Sequence, residues 1–235
     1  MNANSPPIEW LLFDVGNTLL EEGAALEDRD LQLTRLAQRL RPQITNVMIK
    51  NAIEAAWAAA EPEPLEAAMR AVLGPFAARA RQLLNQVNYR SDLERPYKDA
   101  PQILGRLRET YRLGVIANQQ PGLKKRLERF GLAAHIAVCI GSGDVGLWKP
   151  NPRIFQLALQ EAGCVPQRAV MIGDRPDKDI QPARRLGMST IRLLQGPAGS
   201  QKANANNRAD VTVDSLSEVQ EAVERLRFQG VTPIP

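Results

Sequence analysis

Five short apolar runs, near residues 9–15, 113–118, 136–141, 169–174 and 190–194, recur along this chain with helical periodicities between them. That alternation confines the fold more than any other feature of the sequence. A weaker run lies near Asp210 to Val213. Between the runs, Ile103, Leu104 and Leu107 recur at helical spacing. Ile154, Leu157 and Ala158 do so after Pro152, and Leu216, Val219, Val223 and Leu226 form a stripe near the end. Strands alternating with helices imply right-handed crossovers and an α/β fold, a mainly parallel sheet with helices on both faces. In such sheets ligands gather at the carboxyl ends of the strands.

The rhythm breaks between about residues 20 and 97, where helix signatures continue but no convincing strand appears. Leu33, Leu36 and Leu40 share one face, Asn46 to Ala60 is alanine-rich with Ile49, Ile53 and Trp57 spaced by four, and Pro64 and Pro75 each open a further helical run. The interval reads as an inserted α-helical unit, residues 21–97, in a core made of residues 1–20 and 98–235. Its exit is set by Arg95, Pro96 and Tyr97, where a proline ends helix. Gly196 to Arg208, rich in Gly, Asn, Ala and Ser, reads as a mobile surface loop.

Three acids and one lysine fall at the strand ends. Asp14 follows the first apolar run in LLFDVGNTL, Asp174 and Asp179 follow the fourth in VMIGDRPDKD, and Lys149 lies between them in GLWKPNP. Such a set can hold a hard divalent cation and the phosphate that accompanies it, because Mg²⁺ takes oxygen ligands and is commonly bound by one or two carboxylates plus phosphate oxygens. The expected chemistry is phosphoryl transfer.

Composition narrows the alternatives. The chain has 235 residues, 44% hydrophobic and 24% charged, ordinary values for a globular protein. No stretch approaches the roughly 18 to 20 apolar residues of a membrane helix, and the start, MNANSPPIEW, lacks a secretory pattern, so a cytoplasmic protein without membrane attachment is expected. Cys139 and Cys164 belong to no metal-spacing motif and read as reduced thiols. The net charge of +4 and the cluster Lys124, Lys125 and Arg126 raise the question of nucleic acid. Those residues fall on the polar side of an expected helix, with no aromatic stacking surface, so no nucleic-acid partner is expected. His135 is the sole histidine, which excludes a His-rich metal cluster.

Taken in chain order, FDVGNTL, VIAN, LWKPNPRIF and IGDRPDKDI resemble the four motifs of the haloacid dehalogenase-like hydrolases, and the helical insert is similar to that superfamily's C1-type cap. The resemblance implies a Rossmann-like core, a small phosphorylated substrate and Mg²⁺ as cofactor. It implies that Asp14 is the nucleophile, forming an aspartyl-phosphate, and that Asp14, Asp174, Asp179 and the backbone carbonyl of residue 16 hold the metal. Lys149 would neutralise Asp14 and the transferring phosphoryl oxygens, while residues 117 and 118 would bind phosphate.

Two positions depart from the pattern. The aspartate that usually stands two residues after the nucleophile, as general acid and base, is Gly16, and the usual Ser or Thr of the second motif is Ala117, followed by Asn118. Glycine keeps its carbonyl, so the cation site is expected to survive while proton transfer is not. A positioned acid or base contributes about 10²- to 10⁴-fold in rate. Backbone N–H groups near Asn118 and its side-chain amide are expected to replace the hydroxyl in part. Glu21 and Glu22 are acids in the segment leading to the insert. The main alternative is a non-catalytic binding or regulatory protein with the same fold. A metal-free dehalogenase fits poorly, since IGDRPDKDI carries both carboxylates, and phosphonate cleavage would need a Schiff-base lysine that Lys50 gives no sign of being.

Overall fold

A computed structural model describes residues 7–59 and 61–228. The outer ends of the expected core and Ala60, placed in the expected second helix of the insert, lie outside the described residues. By its internal contacts the chain divides into two units. One runs to Glu21 and resumes at Pro96–Gly199 and from Ala203 onward, and the other comprises Glu22–Arg95 with Ser200–Lys202.

The first unit is built on a six-stranded sheet. In chain order its strands are β1 (Trp10–Phe13), β4 (Arg112–Ala117), β5 (Val138–Gly141), β6 (Ala169–Gly173), β7 (Ser189–Leu193) and β8 (Val211–Val213), arranged β5-β4-β1-β6-β7-β8 and parallel throughout. Two-residue strands β2 (Leu20–Glu21) and β3 (Arg95–Pro96) form a separate ribbon at the edges of the insert, which the sequence pattern did not reveal. Two residues are too few to show a period.

β1, WLLF, is buried along its whole length because helices cover both faces of the sheet. Leu11 and Phe13 pack with α5 (Ala100–Leu107), α6 (Leu123–Arg129) and α10 (Val219–Phe228). Trp10 and Leu12 face the other way, onto α8 (Pro152–Ala162) and α9 (Gln181–Arg185). The alternation follows from the two-residue side-chain period of a strand. Each fully buried side chain of this kind contributes about 1.5–3 kcal/mol, so a charge at Leu12 would break the sheet from within.

α8 shows how local sequence sets an element's limits. Asn151 caps it by accepting from Arg153 N–H at 3.0 Å, Pro152 opens it, and Gly163 ends it at φ 61°. Between the caps, Ile154, Phe155, Ala158 and Leu159 are buried at helical spacing.

The second unit is helical: α1 (Gly23–Gln38), α2 (Asn46–Ala58), α3 (Pro64–Leu73) and α4 (Ala80–Leu84). Its own core includes Leu33, Ile49, Ile53, Met69, Leu73 and Leu83, with Leu36, Leu40 and Trp57 packed against it. Pro64 opens α3 as expected, and Pro75 is the second residue of a 3₁₀ segment, Gly74–Arg79, that leads into α4.

Two expectations change. Lys124 and Lys125 are exposed, but Arg126 is buried and donates to Gln119 Oε1 at 2.5 Å. The segment after Gly196 is largely exposed, as a surface loop should be, but it is anchored, because Ala198 and Asn207 are buried and the buried Arg192 donates to Ala198 O at 2.8 Å. Loop composition reports polarity, not the partners that tertiary structure supplies. Among the described residues no helix is long and apolar enough to cross a membrane.

Candidate active site

Asp14 and Asp174 emerge side by side because β1 and β6 are neighbours, with Phe13 opposite Ile172. The Asp14 N–H continues the ladder, donating to Ile172 O at 2.8 Å. After Asp174 the chain makes one wide helical turn, Pro176–Ile180, in which Arg175 O accepts from Ile180 N–H at 3.2 Å and from Asp179 N–H at 2.9 Å. The turn folds Asp179 back over the end of β6, where its Oδ2 accepts from Arg175 N–H at 3.0 Å. Oxygens of Asp14, Asp174 and Asp179 all lie within 4.8 Å of one another. Asp177 points elsewhere and pairs with Arg175 at 2.8 and 2.7 Å.

Lys149 reaches the cluster from the segment between α7 (Ser142–Val145) and α8. Its Nζ donates to Asp14 Oδ1 and to Asp179 Oδ1, each at 2.6 Å. All four side chains are buried, at 8% (Asp14), 3% (Lys149), 4% (Asp174) and 1% (Asp179) exposure. Charges this deep persist only when paired or hydrogen-bonded.

Electrostatics divides the group. Burial opposes the charge on Lys149, but Asp14 and Asp179 outweigh it and hold the ammonium above its ordinary pKa. Burial pushes Asp174 well above the usual carboxylate range, with repulsion from Asp14 and then Asp179 adding to it. Burial likewise pushes Asp179 up to about 6, against the pull of Lys149. One cation here serves several buried anions, so we take Lys149 as charged and the acids as short of positive charge. Fully ionised, three carboxylates against one ammonium would leave two negative charges, the amount a divalent cation balances, and the donors are all hard oxygens. The residues fit such a metal.

A sequence profile of the haloacid dehalogenase-like hydrolases matches residues 8–187. The chain belongs to this family. It is 32% identical over 186 residues to a phosphoserine phosphatase of Thermus thermophilus, an alignment spanning 72% of this chain and 73% of that protein. It is 32% identical over 166 residues to a glyceraldehyde 3-phosphate phosphatase of Methanocaldococcus jannaschii, spanning 68% and 71%. A HAD phosphatase from Thermococcus onnurineus has the same fold, with TM-score 0.64 and 22% identity over 92% of this chain and 98% of that one.

In this hydrolase Ala117 is the buried last residue of β4 and carries no hydroxyl. The Asn118 amide, expected to stand in as a phosphate donor, also braces the lysine. Its Nδ2 donates to Lys149 O at 2.9 Å and its Oδ1 accepts from Lys149 N–H at 2.7 Å. The side chain therefore fixes the main chain from which the lysine reaches the acids. Glu21 is exposed at the end of β2. Glu22, in the helical unit, and Glu94 lie near the Tyr89 phenol, and burial followed by those two carboxylates raises the phenol's pKa.

In the helical unit, Arg70 and Arg81 both pair with Glu66, Arg79 donates to Gln82, and Phe76 is 42% exposed. Sequence reasoning missed two residues that shape the acid cluster. Gly173 is one, because a Cβ there would sit 2.4 Å from Asp179 Oδ2. Thr18 is the other, fully buried with Oγ1 3.5 Å from Asp14 Oδ2, the edge of hydrogen-bonding reach. Their positions directly before Asp174 and four residues after Asp14 were the available signals.

Proposed function

We propose that this hydrolase is a Mg²⁺-dependent phosphatase acting on a small phosphorylated metabolite through an aspartyl-phosphate at Asp14, with weakened acid-base assistance. The observation that carries the reading is the convergence of Asp14, Asp174 and Asp179 with Lys149 in one buried cluster at the strand ends. The phosphatase names of the two relatives support it.

A carboxylate oxygen of Asp14 attacks phosphorus in line, the bond to the leaving oxygen breaks, and that oxygen keeps the electron pair. Water then attacks the phosphorus of the acyl phosphate, releasing inorganic phosphate and regenerating the carboxylate. Lys149 holds Asp14 in place through the bond to its Oδ1, and its ammonium faces the charge that develops on the phosphoryl oxygens. Asp14, Asp174, Asp179 and the Gly16 carbonyl are the groups that would hold Mg²⁺. When bound, the cation supplies positive charge against an anionic substrate. Gly16 brings no carboxyl group, so the leaving oxygen takes its proton from solvent. The helical unit is read as the C1-type cap, which selects substrate.

The absent groups at Gly16 and Ala117 favour a second reading, a binding or regulatory protein that keeps the pocket without turnover. Phosphate release from an aryl phosphate, sugar phosphates and nucleotides, with and without Mg²⁺, separates the two. Release that requires Mg²⁺ and disappears in Asp14→Asn supports the phosphatase. No release from any of these substrates, or release unchanged in Asp14→Asn, overturns it.

A further inference from the structure

Gln195 makes no hydrogen bond to the four clustered side chains, yet its own side chain ties the turn that follows Asp14 to the rest of the fold. It stands two residues past the end of β7. Its Nε2 donates to Asn17 O at 2.9 Å and to Thr18 O at 3.0 Å, and its Oε1 accepts from Leu216 N–H at 3.2 Å. An amide offers two donor hydrogens and one acceptor oxygen. All are in use, which ties the end of β7 and the start of the C-terminal helical segment to consecutive carbonyls of the turn.

That turn needs support. Among the described residues Asn17 is the only one other than glycine at positive φ, 52°, a conformation that costs an L-residue roughly 1–2 kcal/mol. Gly196, at φ 78°, packs against it so closely that a Cβ on residue 196 would lie 2.6 Å from Asn17 Cβ. The turn also carries Gly16, whose carbonyl the proposed function assigns to the metal, and Thr18, whose hydroxyl approaches Asp14.

We infer that Gln195 is a positioning residue for the metal and nucleophile site, acting through the Asn17 and Thr18 carbonyls to fix Gly16 and Asp14. The inference rests on the reading of Asp14, Gly16, Asp174 and Asp179 as a Mg²⁺ site. Partners that orient metal ligands from outside typically account for about 10- to 100-fold in affinity or activity.

Isothermal titration calorimetry of the full chain with Mg²⁺, at constant ionic strength, tests it on wild type, Gln195→Ala, Gln195→Glu and Gln195→Lys, with a thermal melt of each. Gln195→Glu keeps the shape and the acceptor for Leu216 but turns a carboxylate on the two carbonyls. Gln195→Lys still donates to them and gives up only the bond to Leu216. The expected result is Mg²⁺ affinity at least about tenfold weaker in the alanine and glutamate variants and within about threefold of wild type in the lysine variant, with phosphate release falling in the same order. Bulk charge acts in the opposite sense, since glutamate attracts the cation and lysine repels it. Wild-type affinity in Gln195→Ala and Gln195→Glu would overturn the inference, as would a lysine variant as weak as alanine. Wild type that binds Mg²⁺ but releases no phosphate would overturn the proposed function and leave this inference to the calorimetry. Wild type that binds no Mg²⁺ would overturn both.

Discussion

Lys149 Nζ lies 2.6 Å from Asp14 Oδ1, although 135 residues separate the two in the chain. The lysine brings positive charge to acids whose pKa burial raises, so it stands where it can act on both folding and the proposed chemistry.

Replacing it with an apolar side chain of similar length separates those roles. Lys149→Met is expected to lower kcat by about 10²- to 10³-fold, the usual effect of losing one preorganised electrostatic group. In EDTA the variant should also lose about 3–5 kcal/mol of stability, the cost of leaving buried carboxylates without their partner. Phosphate-release assays and urea unfolding read the two effects. Unchanged turnover would remove the lysine from the mechanism.

Gly16 predicts a leaving-group dependence. Without a positioned acid, aryl or acyl phosphates should turn over much faster than alkyl phosphates, and Gly16→Asp should raise the alkyl rate by about 10²- to 10⁴-fold while changing the aryl rate far less. Rates measured over a series of leaving-group pKa values show this as a slope that flattens in the variant.

Asn118 holds Lys149 through its main chain, with bonds of 2.9 and 2.7 Å in both directions. Asn118→Ala should cost about 1–3 kcal/mol, because it leaves buried backbone groups unpaired. It should lower kcat at least about tenfold by displacing the lysine, since misplacement by about 1 Å can cost 10²-fold. The structure of the variant should show Lys149 Nζ withdrawn from Asp14. If Asn118 acted as a phosphate donor instead, KM would rise and the lysine would stay.

Cys139, on β5, offers a pH test away from the acids. Burial, reinforced by Asp144, pushes its thiol up to about 11, above an ordinary value of about 8.5. At pH 8 the native thiol should therefore react with iodoacetamide about 10²-fold more slowly than in unfolded protein, and the native rate should climb about tenfold per pH unit toward 11. The linkage follows the same sign. The folded state holds the thiol proton more tightly, so this group's stabilising contribution is complete below the unfolded pKa and lost as pH rises through about 11. Mass spectrometry resolves Cys139 from Cys164. Equal rates in native and unfolded protein would contradict the burial seen here.

The sheet was legible because burial on both faces leaves a mark in one dimension: each of the five main strands coincides with an apolar run, and β8 with the weaker one. The candidate residues were legible too, since Asp14, Asp174, Asp179 and Lys149 stand at strand ends or before a proline-opened helix. Composition failed where partners decide. Arg126 reads as a surface charge until Gln119 is beside it, and nothing around Asn118 in the chain shows that its amide braces Lys149.

By itself, then, the order of residues determined the strands, their parallel pairing and the edge at which the acids gather, because periodicity and chain crossovers are properties of local sequence. Only the tertiary structure decided which atoms meet: that Lys149 bridges Asp14 and Asp179, that residue 173 has no room for a Cβ, and that Gln195 secures the turn beyond the nucleophile. Those contacts join residues up to 178 positions apart. Their energies depend on distance, direction and exclusion of water, which no pattern along the chain encodes.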